Sequence, residues 1–586
     1  MKDSRPVEWD LTDLYRGIDD PRVASDRSWC LEKAESFRKG YSGRVAQLSA
    51  DDLRTALSDL ERIEETVQKV ASFAYLSFVT RTQDPGAGGF WQSAQEMETE
   101  IDRKLLFFGL EWSRLSDPQA QTLAEELPRA YRHHLERIRS FAPHRLSEPE
   151  ERILETLSLS GRKAWVNLFD KLMGQMVVGP DNRPFSTVLS GLYHPDRVIR
   201  KHSAREVTSG LEKLLPLTTH IHNALALDKS IRDDLLSFPH WLRDMNLRNE
   251  VEDGQVDALV RSVTSRYDIV QRYYNLKRRI LGVSELQDYD RYAPIPGPSH
   301  RVITWEEAKA RVLSAYGAFS VEAAQVAGLF FERNWIHATP VPGKPGGAFS
   351  HPTVPSCHPY ISMNFTGTQR DVMTLAHELG HGIHQYLSRG QGLYGTRVPL
   401  TMAETASIFG ETIVFEDLVK EAGPAEGLAM LCSRLEDLFS TTFRQIAMNR
   451  FEDAVHRARR EKGELSSESL SSIWVATQQE MFGKSLELGV HYRIWWSYIP
   501  HFIHTPGYVY AYAFAELLAF SLLQQFRRRG AEFGPLYLDF LRGGSSAAPR
   551  ELVLPLGVDL SDPCFYNAGL DTMADLVKEA EKRTSS

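Results

Sequence analysis

The sequence predicts a mainly α-helical fold carrying one small β element, and three observations lead there. Apolar residues recur at helical spacing over long stretches, only two segments break that rhythm, and the second break runs straight into another helical pattern. From Leu53, the residues Leu57, Leu60, Ile63, Val67 and Val70 recur at spacings of three and four and mark one helical stripe. Ser49 with Asp52 offers a capping box at its start. Similar patterns run through 88–112, 117–140 and 149–172, joined by short turns bearing Pro or Ser. Residues 176–187 predict a short hairpin, with Gly-Pro-Asp-Asn as its turn. The second break is 336–367, whose Gly and Pro content forbids helix and in which 360–365 predicts a strand entering a helix.

Composition narrows the function classes. The chain has 586 residues, 42% apolar and 25% charged, which is ordinary globular composition. Its charge balance, 68 basic minus 77 acidic or −9, argues against the broad basic face of a nucleic-acid binder. Cys30, Cys357, Cys432 and Cys564 lie far apart with no CxxC pair, so neither a thiolate zinc knuckle nor a disulfide framework is expected. The first residues lack the apolar core of a signal peptide. Residues 494–515 carry no formal charge, but Pro500, His501, His504 and Pro506 are costly in a bilayer, so a buried segment is expected. A soluble, cytoplasmic protein with no membrane or nucleic-acid partner follows as the expectation.

The motif that carries chemistry is His377-Glu378-Leu379-Gly380-His381. Thr368 with Asp371 resembles a capping box, Gly390 suits a helix end, and Val372, Leu375, Ala376, Leu379, Ile383 and Tyr386 form an apolar face. His377 and His381 are four apart, hence one above the other on one side. Two imidazoles so placed can bind one Zn²⁺, and the carboxylate of Glu378 can then reach a water beside it.

A catalytic zinc needs a third protein ligand and an open position. An HExxHxxGxxH arrangement fails here, because His384 stands at the glycine position and Leu387 at the final histidine. His384 is read as a supporting or packing residue. Glu404, 23 residues after His381, is the candidate third ligand, although Thr401 and Glu404 also fit a capping box. Glu411 is either a reserve ligand or the hydrogen-bond partner of a ligating imidazole.

These stretches resemble the oligoendopeptidase F branch of the thimet-oligopeptidase-like zinc peptidases. The resemblance rests on PYISMNFTG…DVMTLAHELGHGIH, on TMAETASIFGET and on IPHFIHTPGYVYAYAFAE. Weaker echoes are YNLKRRILGVSELQDYDRYAPI and VEWDLTDLY, so it covers almost the whole chain. It implies Glu404 as the third zinc ligand and a histidine/tyrosine set that hydrogen-bonds the oxyanion of peptide hydrolysis. His501, Tyr508 and Tyr512 are the best positional matches, with His504 the rival of His501. If the chain is helical from Gly507, Tyr508 and Tyr512 form an i, i+4 pair and Tyr510 points elsewhere. The resemblance also implies a clamshell-like multi-helix zinc peptidase, with 1–190 as an N-terminal helical wall of the substrate channel and 191–586 as the catalytic part.

The expected function is a zinc-dependent oligoendopeptidase acting on internal bonds of short peptides. Glu378 would be the general base, with one zinc per chain held by His377, His381 and Glu404. The strand in 358–365 would align substrate through backbone hydrogen bonds. The rivals are a helical zinc metallocarboxypeptidase and a non-catalytic helical scaffold that binds peptides. Oligomeric state and subsite preference are not legible from sequence.

Overall fold

The computed structural model describes residues 6–297 and 301–585. The fold is mainly α-helical, as predicted, with one hairpin and one three-stranded sheet among the described residues. By internal packing the chain divides into two compact units. One comprises 6–142, 301–418 and 522–559; the other comprises 143–297, 419–521 and 560–585. Each draws on segments from both sides of the sequence division at 190/191.

In the first unit the helix Ala50–Val79 has the expected Ser49/Asp52 capping box, and Leu53, Leu57, Leu60, Ile63, Val67 and Val70 are all buried. The pattern over 117–140 is two helices, Asp117–Ala124 and Arg129–Ser140, because Pro128 at the junction has no N–H to continue a ladder. The sheet contains Ile336–His337, Phe349–His351 and Tyr360–Ser362, with the last in the centre. Tyr360–Ser362 pairs in parallel with Ile336–His337 and antiparallel with Phe349–His351. Both its edges are therefore used, which corrects the expectation that this strand aligns substrate. Phe349–His351 is an outer strand, tied to the HELGH helix by the Ser350 hydroxyl donating to Gln385 Oε1 at 2.8 Å and by Gln385 Nε2 donating to the Ser350 carbonyl at 3.3 Å.

In the second unit the expected hairpin is present as Val177–Val178 against Arg183–Pro184. The pattern over 149–172 is broken at Gly161, giving Glu148–Ser158 and Arg162–Gln175. Residues 494–515 are not one span. A 3-10 helix Val490–Tyr498, a helical turn His501–His504 and the helix Tyr510–Arg529 follow one another, interrupted around Pro500 and Pro506. Among the described residues no helix is long and apolar enough to cross a membrane. The segment is instead core: Trp495, Trp496, Phe502 and Val509 are buried with Phe451, Trp474 and Tyr492. Indole N–H groups there find acceptors, Trp495 on Thr208 Oγ1 at 3.0 Å and Trp496 on Ser471 Oγ at 3.1 Å.

The helix Phe443–Lys462 buries Glu452 against this core at 3% exposure. Burial pushes its carboxyl up to about 8 from the ordinary 4.5, with the Gly507 N–H as a smaller, lowering influence. The folded state thus keeps a proton that the unfolded chain gives up. Stability from this group is complete below about pH 4.5 and declines as pH rises toward 8. Glu452→Gln should therefore track wild type below about pH 4.5 and gain on it up to about pH 8. Melting curves across that range check this, and a constant difference between the two proteins would rule out the buried proton.

Candidate metal centre

The motif lies on the helix Gln369–Ser388 of the first unit. Its start is the predicted capping box, and Asp371 Oδ2 also accepts the N–H groups of Thr366 at 2.8 Å and Thr368 at 3.0 Å. Three close approaches hold its middle. The Tyr316 hydroxyl donates to the Ala376 carbonyl at 2.9 Å. Phe330 lies where a Gly382 side chain would be, its ring 2.6 Å from an ideal Cβ. At Gly380 an added Cβ would stand 2.6 Å from Ser407 Cα, and closer still to the Ala406 carbonyl. The absent side chain lets the backbone after Glu404 press directly onto the motif helix.

That approach brings three side chains to one point. His377 Nε2 and His381 Nε2 each lie 3.3 Å from Glu404 Oε2. The two rings are 5.0 Å apart and nearly perpendicular, at 80°. Among the described residues this is the only group of three His, Cys, Asp or Glu placed to hold a metal ion, with ligand atoms within 4.8 Å of one another. Glu404 lies at the junction of the short helix Leu400–Ala403 and the helix Thr405–Glu421, and its Oε2 also accepts from the Ser407 hydroxyl at 2.9 Å. Glu411, two turns on, has Oε2 3.2 Å from His377 Nδ1, the nitrogen on the far side of the ring. Of the two roles left open for it, this geometry suits the partner of an imidazole.

The electrostatics follow from burial against pairing. Burial opposes charge on His377, yet bonds to Glu404 and Glu411 outweigh it and raise the imidazole to about 10. Burial alone would raise Glu404, but His377 and His381 bring it well below the usual carboxylate range. Glu378 behaves differently. At 6% exposure it is raised by burial, partly offset by the two imidazoles, and its Oε2 is buried with no hydrogen-bond partner. An orphaned carboxylate oxygen beside a two-histidine, one-carboxylate set is the donor chemistry of a catalytic zinc site, with an acceptor left over for a proton.

A cavity of about 290 Å³ adjoins the set, lined by His381, His384, Thr353, Val354, Arg397 and, from the helix Ala50–Val79, Gln68. His384 is buried, its pKa lowered to about 4 by burial, and it stands 6.3 Å from the Phe540 ring.

The second predicted cluster lies in the second unit. His501 Nε2 is 3.3 Å from the Tyr512 hydroxyl, and the Tyr508 and Tyr512 rings are 4.9 Å apart at 89°. All three are partly exposed. The rivals are engaged elsewhere: His504 Nε2 sits 2.8 Å from Asp170 Oδ1, and the Tyr510 hydroxyl, fully buried, accepts from Asn249 at 3.0 Å. The helix begins at Tyr510 rather than Gly507, so Tyr508 meets Tyr512 from a turn and not from one helical face. Proline at 506 and the positive φ of Gly507, 81°, account for the late start.

A family model described as peptidase family M3 matches residues 191–571, and one described as oligopeptidase F matches 111–177. The chain belongs to peptidase family M3. This M3 chain is 26% identical over 610 residues to oligopeptidase PepF of Bacillus subtilis, covering 98% of the chain and 88% of the relative. It is 25% identical over 602 residues to an oligoendopeptidase F homolog of Lactococcus lactis, covering 98% and 97%. A solved structure of a candidate peptidase from Chlamydophila abortus matches with a TM-score of 0.82 at 24% identity, over 98% of this chain and 99% of that one. Oligoendopeptidase-F of Enterococcus faecium matches with a TM-score of 0.72 at 21% identity, over 96% and 99%. The structural likenesses speak for the fold.

Sequence reasoning missed Ser407, Gly380 and Gly410 as parts of the site in this M3 chain. The signal was glycine inside helical patterns, which costs about 1 kcal/mol against alanine and so marks a close approach. An added Cβ at Gly410 would run into Tyr316, the residue that holds the Ala376 carbonyl. Gly380→Ala should force the two helices apart, destabilise the fold by about 1–3 kcal/mol and weaken metal binding. A melting curve beside a metal titration checks it; wild-type values in both would show that the helices have slack.

Proposed function

We propose that this protein is a zinc-dependent oligoendopeptidase that hydrolyses internal bonds of short peptides in the cytoplasm. The observation that carries the reading is the convergence of His377, His381 and Glu404 beside the orphaned Glu378 oxygen. Membership of a peptidase family supports it, as do relatives named oligopeptidase and oligoendopeptidase F. His377, His381 and Glu404 would hold the zinc. Bound there, zinc would supply a Lewis acid that polarises a scissile carbonyl and makes water a better nucleophile at neutral pH.

The chain's own residues do the rest. Glu378 accepts a proton from the attacking water at Oε2 and delivers it to the leaving amine. Glu411 orients His377 through Nδ1. His501, Tyr508 and Tyr512 donate hydrogen bonds to the oxyanion that develops on the carbonyl. The outer strand Phe349–His351 borders the motif helix and would align an extended peptide by backbone pairing. In this reading 191–586 is the catalytic part, and the N-terminal part to 190 limits access, with Gln68 bordering the cavity at His381.

The test is a quenched-fluorescent peptide with an amidated C-terminus. Internal cleavage is expected, lost on chelation and restored by about one Zn²⁺ per chain. A stall on the amidated peptide with turnover of the free acid would point to a carboxypeptidase. Zinc binding without any turnover would leave a peptide-binding scaffold.

A further inference from the structure

Glu452 takes no part in the chemistry above, yet it sits where the aromatic donors are set. Its Oε1 accepts the Gly507 N–H at 2.9 Å, while Oε2 is buried with no hydrogen-bond partner. Gly507 is gripped from the other side too. At φ 81° it occupies left-handed backbone, and a Cβ there would stand 2.7 Å from Leu242 Cδ1 and 3.2 Å from the Trp241 ring. Trp241 is itself fixed by the same helix as Glu452, donating to Asp453 Oδ1 at 2.9 Å and stacking on His456 at 4.5 Å. The next residue is Tyr508, whose N–H reaches the Thr505 carbonyl at 3.2 Å. Val509 and Tyr510 follow, both fully buried. The turn 505–508 therefore sets where the Tyr508 ring meets Tyr512 and His501. A buried carboxyl with one idle oxygen is costly to the fold. Such a cost is typical of a group kept for function rather than stability.

We infer that Glu452 is a positioning residue: by holding the Gly507 N–H it places Tyr508 for its contact with the reacting carbonyl. This rests on the proposed role of the phenols. Misplacing a reacting or stabilising group by an ångström can cost on the order of a hundredfold in rate. Glutamine offers the same acceptor at Oε1, whereas leucine fills the space and offers none.

The experiment measures kcat, KM, zinc content and amide hydrogen exchange of the 505–512 segment in the zinc-loaded enzyme. Glu452→Leu should lower kcat roughly ten- to hundredfold, with KM and zinc content little changed and faster exchange at Gly507. Glu452→Gln should restore kcat and slow exchange. In a Tyr508→Phe background, Glu452→Leu should cost almost nothing more, because the group it places is already gone. Unchanged exchange in Glu452→Leu would overturn the anchor. So would an equal loss of kcat with and without the Tyr508 hydroxyl, which would mark a merely structural role. A Tyr508→Phe enzyme with wild-type kcat would instead sink the role of the phenol, and the exchange data would still report on the anchor. If Glu452→Leu does not fold, Glu452→Asp shortens the reach by one methylene and is read in the same way.

Discussion

Glu378→Gln is expected to keep about one zinc per chain and to lose roughly 10²–10⁴ in kcat, the usual contribution of a positioned general base. The shapes of the two side chains match, so the packing at 6% exposure is preserved. The bonds among His377, His381 and Glu404 do not involve Glu378, and the metal set should survive. What disappears is a carboxylate whose Oε2 is buried with no hydrogen-bond partner. Because burial already disfavours charge on Glu378, the amide should not destabilise the fold and melting should be equal or higher. Zinc analysis, steady-state kinetics on the quenched peptide and a melting curve together isolate the effect. Turnover within tenfold of wild type in a fully zinc-loaded Glu378→Gln would remove the glutamate from the mechanism.

How far the site was legible depends on the range of the interactions that build it. His377 and His381 are related by helical geometry alone, and a capped, one-faced pattern from Thr368 onward was enough to put them side by side. Glu404 was legible as a candidate, and favoured over a cap through the family resemblance, since its place depends on a break between two helices and on the missing side chain of Gly380. Glu411 fell two turns from Glu404 on the pattern, but which ring nitrogen it would face is a tertiary fact. That His504 is engaged by Asp170, far away in sequence, is likewise a tertiary fact that no local pattern carries.

The same contrast runs through the fold. The stripe from Leu53 to Val70 needed only its own periodicity. Breaks at Pro128 and Gly161 were hidden because an apolar repeat can continue in register across a short interruption. A three-residue strand shows its presence by its residues but not its order in the sheet. The centre position of Tyr360–Ser362 is therefore the one feature that reversed an expected role.

The last large effect separates ligand from neighbour. Glu404→Gln should lose most zinc affinity and nearly all activity while the helices persist, because its Oε2 stands 3.3 Å from both imidazoles. Glu411→Gln should do less, weakening zinc binding or activity by about 10–100-fold, as removal of a partner behind a ligating histidine does. Were Glu404 chiefly a helix cap with Thr401, its replacement would leave zinc in place and cost about 1 kcal/mol of stability. The two changes are close in chemistry and lie two turns apart on one segment, so unspecific damage should touch both alike. Competitive zinc titration of the pair, beside melting curves, therefore reads the difference directly. Tight zinc in Glu404→Gln with loss in Glu411→Gln would transfer the third ligand to Glu411. His377 would then have to bind through Nδ1, the nitrogen that faces Glu411 at 3.2 Å, and the motif's two histidines could no longer offer matching Nε2 atoms to one ion.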